Sequence, residues 1–118
     1  MTRPSPALRR VLVRAAFIAV LAVVLYAGLR QQAVPETFDN EDKLYHLLGF
    51  AALAVCTRLA FPRWRWWWQV LGALAIGGGI ELFQNLQPAR VGSWWDFLAD
   101  AIGVGLGWLL LQLPPLRR

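Results

Sequence analysis

Three carboxylic acids stand inside strongly apolar sequence in the second half of the chain. Glu81 lies within one apolar run, and Asp96 and Asp100 lie four residues apart at the start of the next. A charged residue at the centre of a membrane-spanning helix costs about 2.5–3.5 kcal/mol even on insertion-based scales. Acids at such positions usually have a function or a partner. His46, the single histidine of the chain, adds a group that titrates near neutral pH.

These groups could do chemistry or bind a polar molecule. In the catalytic interpretation, His46 is the acid–base group and Glu81 or Asp96 is the second carboxylate. Histidine and carboxylates can also bind a divalent cation, but no His-x-x-x-His or Cys-x-x-Cys spacing is present, so we predict no metal and no cofactor. We assign the other polar residues at this end of the apolar runs to substrate binding: Asp42, Lys43, Gln84, Arg90, Ser93 and Asp100.

Structural roles are the alternatives at the same positions. His46 could make an interhelical hydrogen bond that fixes packing, and Glu81 could form a buried ion pair with Arg90. Asp96 could cap the start of a helix, where the helix dipole favours an anion. Asp100 lies too deep for a cap.

The composition indicates a membrane protein. The chain has 118 residues, enough for one domain, is 58% hydrophobic and has a mean hydropathy of +0.45. Its net charge of +5 would suggest a nucleic-acid partner in a soluble protein. No basic surface with aromatic or helical readers is visible here, so we predict no nucleic-acid partner. The single cysteine, Cys56, excludes an internal disulfide and is expected to pack in the core.

Four apolar runs are long enough to span a bilayer: residues 11–29, 44–61, 66–86 and 94–113. The first also fits a cleaved signal peptide, but it is long for one and no small-x-small site follows Tyr26. We therefore predict an all-α polytopic membrane protein, a four-transmembrane-helix bundle with short loops. One domain covers 11–113, between a basic arm at 1–10 and a basic tail at 114–118.

The basic residues predict the orientation of this bundle. Four spans place both termini and the turn at 62–65 on one side, with nine of the twelve basic residues. The positive-inside rule assigns that side to the cytoplasm and the acids to the outer side. Tryptophans 64 and 66–68 would form an inner aromatic belt, and 94 and 95 an outer one.

The polar groups of three spans have similar depths. At about 1.5 Å per residue, His46, Glu81 and Asp100 lie roughly 5–10 Å inside the outer boundary. Gly103 and Gly107 continue the face of Asp96 and Asp100, and glycines also lie one turn from His46 and from Glu81. Small residues let helix backbones approach closely. We therefore predict that the polar residues at the outer end of the second to fourth spans converge in one site: Asp42, His46, Glu81, Arg90, Asp96 and Asp100.

Four motifs resemble the VanZ-like family of small membrane proteins: DKLYH at 42–46, ELFQ at 81–84, R-x-x-S-x-x-D at 90–96 and the glycine-rich stretch 103–107. Together they cover residues 42 to 107. Asp100 departs from the pattern, which often has asparagine there. The family is associated with glycopeptide (teicoplanin-type) resistance, without an established biochemical activity. The resemblance implies a bacterial inner-membrane protein of the cell envelope.

Several functions are compatible with these residues. The first is an outer-face site for an amphiphilic envelope molecule, a membrane lipid or a lipid-linked precursor, with its tail against the helices and its head at Arg90, Lys43 and the acids. The second is an enzyme acting on such a molecule. The third is a non-catalytic partner of another membrane protein. Transport is less favoured, because the inner halves of the spans offer no relay below Asp100.

The predicted orientation can be tested by cysteine-accessibility labelling at Asp39 and Arg63. We expect position 39 to react from outside and position 63 from the cytoplasm, because the basic residues divide nine to three between the two sides. Labelling of both positions from the same side would exclude this topology.

Overall fold

The computed structural model describes residues 3–30, 38, 41–86 and 94–112. These residues form four α-helices and no strand: α1 Pro6–Leu29, α2 Glu41–Ala60, α3 Trp66–Asn85 and α4 Trp94–Leu110. Each predicted apolar run falls on one helix, which confirms the all-α class. The predicted tail at 114–118 lies outside the described residues.

The first helix begins within the predicted basic arm. Ser5 has extended backbone angles, and its hydroxyl accepts a hydrogen bond from the amide of Leu8 at 3.1 Å. Pro6 follows at the first helical position, where a missing N–H costs nothing. Arg9 and Arg10 therefore belong to α1, which begins within the stretch predicted as a basic arm.

The helices run alternately up and down. At one end, Arg14 of α1 donates to the carbonyl of Ala60 at the end of α2, at 3.3 Å. At the other end, Gln84 of α3 donates to the carbonyl of Gly28 in α1, at 3.0 Å. The described helical acids all lie at this second end, called here the site end, because α2 and α4 begin there and α3 finishes there.

The opposite end, called here the tryptophan end, is basic and aromatic. The rings of Trp66 and Trp108 have centroids 5.9 Å apart, and the guanidinium of Arg58 lies 5.7 Å from the Trp108 centroid. Trp67 stacks on Trp68 at 4.6 Å. Amphipathic rings and cationic side chains of this kind are enriched at membrane interfaces.

The closest helix contact joins α2 and α4. A Cβ placed on Gly103 would collide with the backbone of Leu47, and one on Gly107 would collide with the carbonyl of Ala51 and the side chain of Ala54. Both glycines are buried. The glycine spacing therefore lets the two backbones touch, as the sequence predicts for a small-residue face.

Two helices, α1 and α2, are long and apolar enough to cross a membrane. Few of their residues are buried within the chain, unlike those of the core helix of a soluble protein. Among the described residues, the main cluster of buried apolar side chains is small: Phe50, Leu53, Ala73, Ile80 and Val104. Most large apolar side chains of the bundle therefore face outward.

The α2–α4 contact predicts that alanine substitutions at two nearby glycines have opposite effects on stability. Gly103→Ala should destabilise the bundle by about 1–3 kcal/mol or more, because overpacking here meets rigid backbone. Gly105→Ala is the matched control, since no other group lies within 4 Å of its added methyl. It should be neutral or stabilising by up to about 1 kcal/mol, because alanine favours helix over glycine. Thermal unfolding in detergent measures both, and equal melting temperatures for the two variants would contradict the close approach.

Candidate functional site

The candidate site lies between three helices at the site end. Helix α2 contributes His46, α3 contributes Glu81, and α4 contributes Asp96 and Asp100. Asp96 and Asp100 share a helix face because they lie four residues apart. The structure thus brings together the three residues predicted at matched depth, His46, Glu81 and Asp100, and adds Asp96 to them.

The shortest contact in the site joins His46 and Asp100. Nδ1 of His46 lies 2.7 Å from Oδ1 of Asp100, a hydrogen-bond distance, and the carboxylate accepts. The Asp100 side chain has no solvent exposure and that of His46 has 15%. A buried charge is stable only when paired, so His46 is the partner that the deep position of Asp100 requires.

Two further carboxylates face the same imidazole. Oε1 of Glu81 lies 3.9 Å from Nδ1 of His46, on the side where Asp100 binds. Oδ2 of Asp96 lies 4.0 Å from Nε2, on the other side of the ring. The imidazole therefore stands between carboxylates at both of its nitrogens.

A glycine on α3 makes room for the Asp100 carboxylate. A Cβ added to Gly77 would lie 2.7 Å from Oδ2 of Asp100. Among the described residues, no hydrogen-bond donor reaches this oxygen, and it is fully buried. Asp100 thus uses one oxygen for His46 and keeps the other against the backbone of α3.

Lys43 links the buried cluster to the outside of the bundle. Its ammonium lies 3.4 Å from Oδ1 of Asp96 and 3.8 Å from Oδ1 of Asp42. Lys43 and Asp42 are partly exposed, whereas Asp96 is buried. The site therefore has an inner part formed by His46 and the carboxylates, and an outer part formed by these two side chains.

Of the residues assigned to substrate binding, Gln84 is described and is not brought into this cluster. Gln84 is buried, and its amide donates to Gly28 on α1, so the structure gives it a partner away from His46. Arg90 and Ser93 lie outside the described residues. Their predicted substrate-binding roles, and the predicted Glu81–Arg90 ion pair, stay predictions.

Glu41 precedes the apolar run at 44–61 and was not predicted as a site residue. Glu41 is the first residue of α2 and is buried; its carboxylate accepts from the hydroxyl of Tyr45 and, at 3.4 Å, from the amide of Phe38. The signal was the spacing of Glu41 and Tyr45, which lie one helical turn apart.

A second feature missed by sequence reasoning is an open groove of about 530 Å³ beside the cluster. Its walls are almost wholly apolar, and Lys43 also lines it. The apolar lining comes from α2 and α4: Leu44, Leu47, Trp95, Leu98, Ala99 and Ile102. No single motif could indicate this groove, because both walls are ordinary apolar helix surface.

The inner cluster has the donor atoms that metal ions bind. One ligand atom from each of His46, Glu81 and Asp100 lies within 4.8 Å of the other two. The three residues come from three helices, which is why motif spacing did not reveal them. The same imidazole, oriented by Asp100, also has the geometry of a general base held by a carboxylate.

Coupling between His46 and Asp100 can be measured by a double-mutant cycle. His46→Ala and Asp100→Ala should each destabilise the protein, because each leaves a buried polar partner unsatisfied. The double variant should cost less than the sum by about 0.5–3 kcal/mol. Gln69→Ala, which removes a hydrogen bond to the Phe61 carbonyl at the other end of the bundle, should be additive with His46→Ala. Additive energies for His46 and Asp100, measured by thermal unfolding in detergent, would contradict the contact.

The resemblance suggested by the sequence motifs is confirmed by comparison with family models. Residues 14–114 match the model described as VanZ/LLP1, which covers most of α1, all of α2 to α4 and every residue of the cluster. Comparison with curated proteins and with solved structures gives no match. The match extends over far more than half of the sequence, and the chain therefore belongs to the VanZ/LLP1 family.

Proposed function

We propose that this protein is a four-span membrane protein that binds an amphiphilic molecule of the bacterial cell envelope at its site end. The tail of the molecule lies in the groove between α2 and α4, and its head reaches Lys43 and the cluster around His46. Both termini face the cytoplasm, and the site faces outward. The observation that carries the proposal is the junction of an apolar groove with a buried polar cluster at Lys43.

The distribution of apolar surface supports the membrane part of the proposal. Large apolar side chains are exposed on all four helices, among them Val23, Leu48, Leu82 and Leu109. A soluble monomer rarely exposes contiguous apolar surface of this extent, whereas lipid tails cover it without cost. Helix α4 has 17 residues, at the lower limit of the length that crosses a bilayer.

The charge distribution supports the orientation. Among the described residues, seven basic residues lie at or near the tryptophan end and two, Arg30 and Lys43, lie at the site end. The positive-inside rule assigns the basic end to the cytoplasm. The site then opens toward the outer leaflet, where lipid-linked envelope precursors are used.

The groove and the cluster suit different parts of one ligand. The groove walls provide leucine and isoleucine side chains that an acyl or prenyl chain would contact. Lys43 provides a cation for a phosphate, and the carboxylates accept hydrogen bonds from hydroxyl or amide groups of a head. An amphiphile that carries both an anion and hydroxyl groups therefore fits better than a neutral lipid.

Catalysis is a second candidate, favoured by the His46–Asp100 hydrogen bond. A carboxylate on Nδ1 orients the ring and leaves Nε2, near Asp96, to exchange a proton with a bound head group. In this scheme Asp100 is the positioning residue for His46, whereas the sequence predicted a substrate-binding role for Asp100. The reaction would act on the same amphiphile, so binding is the step that both candidates share.

The physiological setting follows from the family. Because the VanZ-like family is associated with resistance to glycopeptide antibiotics, we extend the proposal to a role in envelope or glycopeptide tolerance. A protein that binds lipid-linked precursors at the outer face would act where glycopeptides bind their targets. Loss of binding should then raise susceptibility in cells that depend on this chain.

Lipid binding can be tested with purified protein in detergent by native mass spectrometry. We expect phosphatidylglycerol, which has a phosphate and hydroxyl groups, to bind more tightly than diacylglycerol. Lys43→Gln should lower the affinity for phosphatidylglycerol about tenfold or more, because a hydrogen bond to a charged group contributes about 1.5–3 kcal/mol. It should leave the affinity for diacylglycerol unchanged.

A second variant tests the groove. Ile102→Trp places a larger side chain in the groove and should weaken the binding of both lipids. Each buried CH₂ group contributes about 0.8 kcal/mol, so a lipid tail that buries two fewer groups should bind about tenfold more weakly. Leu109→Trp, on the same helix but outside the groove and exposed, is the matched control. The proposal fails if both lipids bind equally well and neither Lys43→Gln nor Ile102→Trp changes their affinity.

A further inference from the structure

We infer that His46, Glu81 and Asp100 form a binding site for one divalent transition-metal ion. This goes beyond the lipid site, because it assigns the inner part of the cluster a ligand of its own. The site joins three helices, with one ligand from each of α2, α3 and α4.

The distances in the cluster are close to those that a metal ion requires. With metal–nitrogen and metal–oxygen bonds of about 2.0–2.2 Å, donors around one tetrahedral ion stand about 3–3.5 Å apart. Nδ1 of His46 lies 2.7 Å from Oδ1 of Asp100 and 3.9 Å from Oε1 of Glu81. All three donors lie within 4.8 Å of one another. Shifts of about 1 Å, within the reach of side-chain rotation, would complete the coordination.

Asp100 provides an observation that does not depend on the distances among the donors. Its side chain is fully buried, and no donor from the described residues reaches its Oδ2. Such an oxygen costs about 1–3 kcal/mol when its hydrogen-bonding capacity is unused. A cation at the cluster would bind the carboxylate and offset that cost.

Asp96 is positioned to interact with the second ring nitrogen of a metal-bound His46. Metal-binding histidines usually donate their second ring nitrogen to a carboxylate or carbonyl, which fixes the ring. With Nδ1 on the ion, Nε2 of His46 is the donor, and Oδ2 of Asp96 lies 4.0 Å away on that side. Lys43 in turn holds the other oxygen of Asp96 at 3.4 Å.

The donor set indicates the class of metal. Imidazole favours zinc, iron, nickel or copper, whereas magnesium and calcium are bound chiefly by oxygen. One nitrogen with two carboxylates therefore fits a first-row divalent ion such as Zn²⁺ or its spectroscopic substitute Co²⁺. Three protein ligands leave a fourth position open to water or to an oxygen of a bound head group.

The metal role and the general-base role exclude each other for His46. As a base oriented by Asp100, the ring carries its hydrogen on Nδ1. As a ligand to this ion, Nδ1 must provide its lone pair and the hydrogen moves to Nε2. Metal binding therefore decides between the two candidate chemistries of the ring.

The experiment uses the full chain purified without a histidine tag, stripped with a chelator and titrated with Co²⁺. We expect one Co²⁺ per chain with visible absorption bands, displaced by Zn²⁺. X-ray absorption of the bound ion should give one imidazole and otherwise oxygen donors. Because His46 is the single histidine of the chain and Cys56 the single cysteine, an imidazole donor identifies His46 and a thiolate donor would identify Cys56.

Conservative variants test how much each residue contributes to Co²⁺ affinity. Asp100→Asn and Glu81→Gln keep shape and should lower the Co²⁺ affinity more than about 100-fold, beyond the range for outer-shell partners. Asp96→Asn should lower it about 10–100-fold, as a partner of the ligating histidine. Gln69→Ala, at the tryptophan end and outside the site, should leave it unchanged.

Three results would overturn the inference: no Co²⁺ bound, a sulfur donor from Cys56, or unchanged affinity in folded Asp100→Asn and Glu81→Gln. If those variants do not fold, X-ray absorption of the wild-type chain decides alone, and a shell without one imidazole overturns the site. The lipid assay in stripped protein is separate, so the failure of either site is recognised independently of the other.

Discussion

The backbone contact between α2 and α4 is the constraint on which the rest of the bundle depends. Gly103 packs on the backbone at Leu47, and Gly107 packs on Ala51 one turn further. His46 directly precedes Leu47, and Asp100 lies one turn before Gly103. The 2.7 Å contact of the site is thus built beside the point where the helices touch, so its length depends on how closely they approach.

That constraint explains how several acids can share a small apolar bundle. A buried carboxylate is stable only with a partner, and a side chain on a separate helix can be brought to it by packing. Gly77 on α3 adds to this by leaving space for Asp100. Stability and the polar site are therefore linked, because the glycines that close the helix contacts also place the acids around one imidazole.

Much of this arrangement could be predicted from the sequence. Apolar runs located the four helices, and matched depth within them grouped His46, Glu81 and Asp100. The four-residue spacing on α4 added Asp96 to Asp100. The remaining contacts depend on which neighbouring helix each helix face packs against. Gln84 shares a face with Glu81, yet it contacts α1 instead of α2, and spacing within one helix cannot distinguish those partners. The start of α1 was misjudged because arginines suggested an arm, whereas the Ser5-Pro6 pair begins a helix. The groove was missed because it depends on how two apolar surfaces diverge.

The hydrogen bond from Gln84 to Gly28 has a consequence for assembly. The last carbonyls of a helix have no donor within it, and in lipid each such group costs several kcal/mol. Arg30 supplies a backbone donor to Tyr26, but the donor to Gly28 is a side chain 56 residues later. A side chain of α3 therefore caps the end of α1. The final turn of α1 gains that cap only after α3 has been synthesised and has packed against α1, so an earlier helix is completed by a later one.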